Sequence, residues 1–174
     1  MKDKTEEIIA VLDRGRDLLG RIDDDLYGRR VEVACGGTLG GHFRHDLDHY
    51  VAFFEGLATG RIDYESRTRD QRVETDRMAA IARSMEIRDR LARLAASESN
   101  RPVQVRQEGS GSGPEARWVD SSLGRELDFL LGHTVHHQAL TAIICRILDL
   151  AVDEDFGVAP STLRHRERTR PCVL

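Results

Sequence analysis

At 174 residues the chain is long enough for one domain with a core of its own. Its 26 basic and 30 acidic side chains are close to balance, which argues against nucleic acid as a partner because no broad basic field can form. No apolar run reaches the roughly 18 residues of a membrane span, and Met1 to Glu7 lacks the apolar centre of a secretory signal.

The first predicted element is an amphipathic helix from Thr5 to Asp25, with Ile8, Ile9, Leu12, Leu18, Leu19 and Ile22 at helical spacing. Glycines at 28, 36 and 37 interrupt the pattern, and Thr38 is placed to cap a second helix running from Leu39 to about Ala58. Its apolar stripe is Leu39, Phe43, Leu47, Tyr50, Val51, Phe54 and Leu57. From Thr59 to Val73 the chain is polar and reads as a long connection whose charges face solvent. A third helix is expected from Glu74 or Thr75 to Ser97–Asn100, with Met78, Ile81, Ala82, Met85, Leu91 and Leu94 inward.

Between Arg101 and Asp120 the pattern alternates about a Gly/Ser-rich centre, which predicts a two-stranded hairpin with a mobile tip. Asp120, Ser121 or Ser122 then caps a long fourth helix reaching about Leu150. The expectation is an all-α chain: a four-helix bundle over residues 1–150 with a long crossover and a small hairpin before the last long helix. Residues 151–174 would form a tail along its surface. Three widely spaced cysteines, Cys35, Cys145 and Cys172, include no Cys-x2-Cys pair and predict free thiols in a reducing, cytoplasmic setting.

Six of the seven histidines fall in two short clusters. On the fourth helix His133 and His137 stand one turn apart on the stripe of Leu130, Leu140, Ile144 and Ile147, so they should point inward. On the second helix His42, His45 and His49 lie within roughly 60° of one another at the edge of the apolar stripe. Neutral imidazoles one turn apart can share a metal ion, and burying several of them without a common partner would leave polar atoms unsatisfied. The pattern therefore predicts a metal site built between the two helices, without choosing among the three histidines of the second.

These residues resemble the DinB-like superfamily of metal-binding helical bundles, which includes bacillithiol and mycothiol transferases. The likeness rests on histidine in the second helix and His133-x3-His137 in the last long one, over roughly Thr5 to Leu150. It is nearest to an uncharacterised branch in Thr38-Leu39-Gly40-Gly41-His42-Phe43-Arg44-His45 and in Ser122-Leu123-Gly124-Arg125-Glu126-Leu127. The resemblance implies that His133 and His137 bind a divalent ion, zinc or nickel. One alignment of the second helix makes His45 the third ligand, and another makes it His49.

An ion with an open position would activate water or a low-molecular-weight thiol, which implies a thiol transferase or a hydrolase acting on a small molecule. Glu126, two turns before His133 on the same stripe, is the candidate general base or outer acceptor, and pairing with Arg44 or Arg125 is its structural alternative. His42 and Asp46 are candidates for orienting a ligand imidazole. The competing expectations are a non-catalytic metal- or ligand-binding protein and a plain helical module. The resemblance also implies a homodimer.

Overall fold

A computed structural model describes residues 2–94, 99–111 and 113–169. Helix α1, Lys2–Arg21, buries Ile8, Val11, Leu12, Leu18 and Leu19 along one side, as its spacing predicts. Asp23 accepts the Leu26 N–H at 2.8 Å and opens a short second helix, α2, Asp24–Gly28. Thr38 caps α3, Leu39–Thr59, by accepting the Gly41 N–H at 2.8 Å. The helix ends at Gly60, whose φ of 76° is the left-handed conformation that a glycine cap adopts without strain.

After a two-residue strand, β1, Arg61–Ile62, the stretch expected as a connection ends in a short helix of its own, and the expected third helix starts after it at Arg77. A short α4, Gln71–Thr75, ends where Asp76 turns the chain and caps α5, Arg77–Ala92, accepting from the N–H groups of Met78 and Ala79. A Cβ at position 40 would lie 2.0 Å from the Glu74 carbonyl oxygen, so Gly40 lets α3 and α4 pack backbone to backbone. On α5 the buried face is Ala80, Ser84, Ile87 and Leu91, whereas Met78 and Met85 are 58% and 51% exposed. The inward face keeps Leu91 of the expected stripe, with Ile81 and Leu94 packed at its margin, but not Met78 or Met85. Small side chains at 80 and 84 allow the close helix contact that two methionines would hold apart. Of the expected end of this helix, Ser97 lies outside the described residues.

The hairpin is present as β2, Pro102–Arg106, and β3, Trp118–Ser122, antiparallel from the pair Pro102–Ser122 to Arg106–Trp118. Strand β1 adds to it in parallel, giving a three-stranded sheet of order β1-β2-β3. Ser122 accepts the Arg125 N–H and opens α6, Leu123–Ile147. The tail is more ordered than expected: Phe156 is buried, and α7, Pro160–Thr169, lies on the surface with Arg164 paired to Glu7. Cys145 is buried and Cys35 exposed, both as free thiols; Cys172 lies outside the described residues.

The chain is therefore mostly helical with a small sheet at one side. Helix α1 packs against α5 and α6, and α3 packs against the same two. The core between them includes Ile8, Leu19, Leu47, Phe53, Ile87 and Leu127. No helix among the described residues is long and apolar enough to cross a membrane.

Candidate metal centre

The α3–α6 contact sets the geometry of the centre. His45 and His49 are successive turns of α3, and His133 faces them from α6. One ring nitrogen from each lies within 4.8 Å of the others. The ring centroids are 4.7 Å apart for His45–His49, 3.9 Å for His49–His133 and 5.1 Å for His45–His133. A tetrahedral ion with bonds near 2.0–2.1 Å separates its ligand nitrogens by roughly 3.4 Å, a contraction within reach of side-chain torsions. This group of three could hold a metal ion.

Hydrogen bonding fits that use. The His49 Nδ1–H donates to the His45 carbonyl oxygen at 2.8 Å, which leaves the Nε2 lone pair to face the group. Nε2 of His133 is buried with no hydrogen-bond partner. An orphan of this kind costs about 1–3 kcal/mol, so its place in a folded chain calls for a partner that supplies a bond. Arg67 fits less well: its Nη1 lies 3.2 Å from His49 Nε2, and a guanidinium cannot share that lone pair with a cation. An ion at this centre requires the Arg67 side chain to turn aside.

Burial is the main cause of the shifted titrations. It pushes His45 and His49 down to about 4, His137 to about 3 and His133 to about 2; neighbouring imidazoles add in the same direction, as does Arg67 at His45, His49 and His133, while the hydrogen bond to the His45 carbonyl opposes it at His49. All four rings are neutral near pH 7, the form that binds a metal.

His137 continues the row. Its ring is 4.6 Å from that of His45 and 4.5 Å from that of His133, while its Nδ1 lies 3.1 Å from Nδ1 of His42. Five imidazoles therefore run from His42 through His137 and His45 to His133 and His49. His45 and His49, which the sequence left as alternatives, are both in the group of three. His42 does touch a candidate ligand, whereas Asp46 does not: its carboxylate is buried and accepts from the Thr134 hydroxyl at 2.9 Å. His136 is exposed.

His133 and His137 are half-buried, and the inward column of α6 is Leu127, Leu130, Thr134, Gln138 and Thr141. Polar residues occupy it because partners wait opposite. Thr134 meets Tyr50 at 2.6 Å as well as Asp46, and the Gln138 amide donates to the Val11 carbonyl at 2.6 Å. That shift leaves the histidines at the edge of the core, facing a cleft.

The cleft has a volume of about 600 Å³, and His45, His49 and His133 are among the residues that line it. Its walls come partly from the connection expected to be solvated, which the structure instead folds over the centre. Asp63 accepts the N–H groups of Glu65 and Ser66 and pairs with Arg106 at 2.9 Å. Tyr64, so positioned, stacks on His49 with centroids 5.6 Å apart and touches Phe129 at 5.0 Å. Tyr64 and Arg67 are the site residues that sequence reasoning missed. The pattern Asp63-x2-Ser66, a side chain able to cap its own turn, was the signal that this stretch is pinned.

Glu126 is 1% exposed and fully engaged. It accepts from the Ser121 hydroxyl at 2.5 Å, the Tyr64 hydroxyl at 3.0 Å and Arg125 at 3.3 Å. Arg44, the other candidate partner, pairs instead with Glu74 and Asp48. With three donors on its carboxylate, Glu126 holds Tyr64 against His49.

Against known proteins, the chain matches no family model and no solved structure. It is 34% identical over 104 residues to a Rhizopus delemar protein named FK506-binding protein 5. That similarity takes in 60% of this chain and spans 27% of the length of the fungal protein.

Proposed function

We propose that the chain is a metal-dependent protein of DinB-like type, holding one divalent ion, zinc or nickel, through His45, His49 and His133 above a substrate cleft. The observation that carries this reading is the buried, unpartnered Nε2 of His133 among three neutral imidazoles. The packing of four long helices, with histidines on α3 and α6, supports the DinB-like reading of the fold. A divalent ion with an open position supplies Lewis acidity, which lowers the pKa of a water or of a small-molecule thiol.

The chain's own residues do the rest. The carbonyl of His45 fixes the His49 tautomer, Tyr64 covers the His49 ring, and Glu126 holds the Tyr64 hydroxyl. Phe129, 5.7 Å from the His133 ring, keeps bulk water off the same side. The activity this supports is thiol transfer or hydrolysis on a small molecule.

One observation favours a second reading, metal or ligand binding without catalysis. Glu126, the candidate base, already accepts three hydrogen bonds and has little capacity left for a substrate proton. Elemental analysis of protein purified without added metal tests the shared premise. The expected result is stoichiometric zinc or nickel that is lost in His133→Ala. No metal in the parent protein, even after reconstitution, overturns it. Thiol-transfer and hydrolase assays on the loaded protein then separate the two readings.

A further inference from the structure

The cleft also holds guanidinium groups that the metal reading does not use. Arg67, Arg69, Arg106 and Arg125 all line it. Arg106 is committed to Asp63 and Glu65 at 2.9 and 3.2 Å, and Arg125 contacts Glu126. Arg67 differs from both. Among the described residues no carboxylate forms an ion pair with it; its Nη1 meets the Tyr64 carbonyl oxygen and the neutral His49 ring, and its Nε, like that of Arg106, is buried with no partner. Arg69 and Arg44 stand near it with like charge, and Asp48 and Glu108 act on it without forming an ion pair.

A guanidinium in that position is costly unless an anion completes it, and such uncompensated charges collect at binding sites. The planar fork of arginine matches a carboxylate, bonding it through two parallel N–H groups. A highly charged ligand fits poorly, because Glu65, Glu108 and Glu126 stand in the same cleft. Tyr64 and Phe129 form an aromatic wall beside the cations, with Val105 next to them. A volume of about 600 Å³ suits a metabolite-sized molecule.

We infer that the cleft binds an aromatic carboxylate, its carboxylate held by Arg67 and its ring seated against Tyr64 and Phe129. The inference deepens the metal reading by naming a substrate class. It rests on that reading only for what happens at the ligand's reactive end: without an ion Arg67 meets the carboxylate from its present position, and with one it does so after its Nη1 has left His49.

Titration calorimetry with benzoate, on both metal-free and zinc-loaded protein, tests it, with benzamide as a neutral molecule of the same shape. Benzoate is expected to bind wild type at least roughly tenfold more tightly than benzamide does, and to lose roughly tenfold or more in Arg67→Gln. Arg67→Lys, which keeps the charge and loses the fork, should fall between. No benzoate binding by wild type, equal affinity for benzamide, or unchanged affinity in Arg67→Gln overturns the inference. Competition by inorganic phosphate as strong as that by benzoate overturns the choice of a carboxylate. If Arg67→Gln fails to fold by circular dichroism, the benzamide comparison and Arg67→Lys decide. Should the protein take up no metal, Arg67-dependent benzoate binding on the metal-free protein is still read directly, so the two readings fail separately.

Discussion

The two ends of the histidine row use the same side chain on the same two helices and differ in what surrounds it. At one end His42 and His137 satisfy each other, nitrogen to nitrogen at 3.1 Å. At the other, His133 has a buried nitrogen with no partner, and His49 meets only a guanidinium at its Nε2. The first end closes on itself; the second is left incomplete beside a cleft. An imidazole becomes a ligand candidate through the hydrogen bonds its neighbours fail to provide.

The largest expected effect breaks this comparison directly. His133→Ala and His49→Ala should lose bound metal outright, more than the roughly 10–100-fold that loss of an outer partner costs, whereas His42→Ala should keep it. Elemental analysis of the purified variants decides. His137→Ala is the informative case: retention supports the group of three, and loss would move the site toward the His133–His137 pair that the DinB-like resemblance implies.

Two pH effects of opposite sign follow for the metal-free protein. Burial raises the Asp46 carboxyl from its ordinary 3.8 to about 7, so the folded state keeps a proton that the unfolded state has released, and stability falls as pH rises between those values. The shift corresponds to about 4 kcal/mol, and Asp46→Asn should abolish that decline in urea titrations at pH 5 and pH 8. His49 behaves oppositely. Its folded pKa lies near 4, below the ordinary 6.5, so the unfolded state binds more protons and stability is lost as pH falls through that window. For this buried ring the loss is about 3 kcal/mol, and His49→Gln should remove that share of the acid-side decline, the rest remaining with His45, His133 and His137.

The smallest effect sharpens the difference at the cleft wall. Tyr64→Phe removes the hydroxyl bonded to Glu126 and should cost about 1 kcal/mol in denaturant unfolding. Metal content should not change. A loss of metal in this variant would show that Tyr64 holds His49 more firmly than stacking alone accounts for.

Much of the frame was legible because it is local. Thr38 announced one helix start and Ser122 was among the three candidates for another, the apolar spacing of α1 named most of the residues it buries, and the alternation after Arg101 marked the paired strands. On α5 the same reasoning was right for Leu91 and in part for Ile81 and Leu94, and wrong for Met78 and Met85, where close helix contact instead favours Ala80 and Ser84. On α6 it turned His133 and His137 inward, because a projection cannot see that Tyr50, Asp46 and Val11 supply partners for a polar column beside them. The connection after Thr59 was the least legible. Its charges read as solvated, yet Asp63 folds it back and delivers Tyr64 and Arg67 to the centre.

The sequence by itself determined that this chain would be mostly helical and that its histidines would gather on two helices, since both are consequences of periodicity along a few turns. Only the tertiary structure decided which imidazoles meet and which nitrogen is left without a bond. It also decided that a cationic loop closes over them. Those outcomes depend on contacts between residues as distant as His49 and His133, which no local pattern encodes.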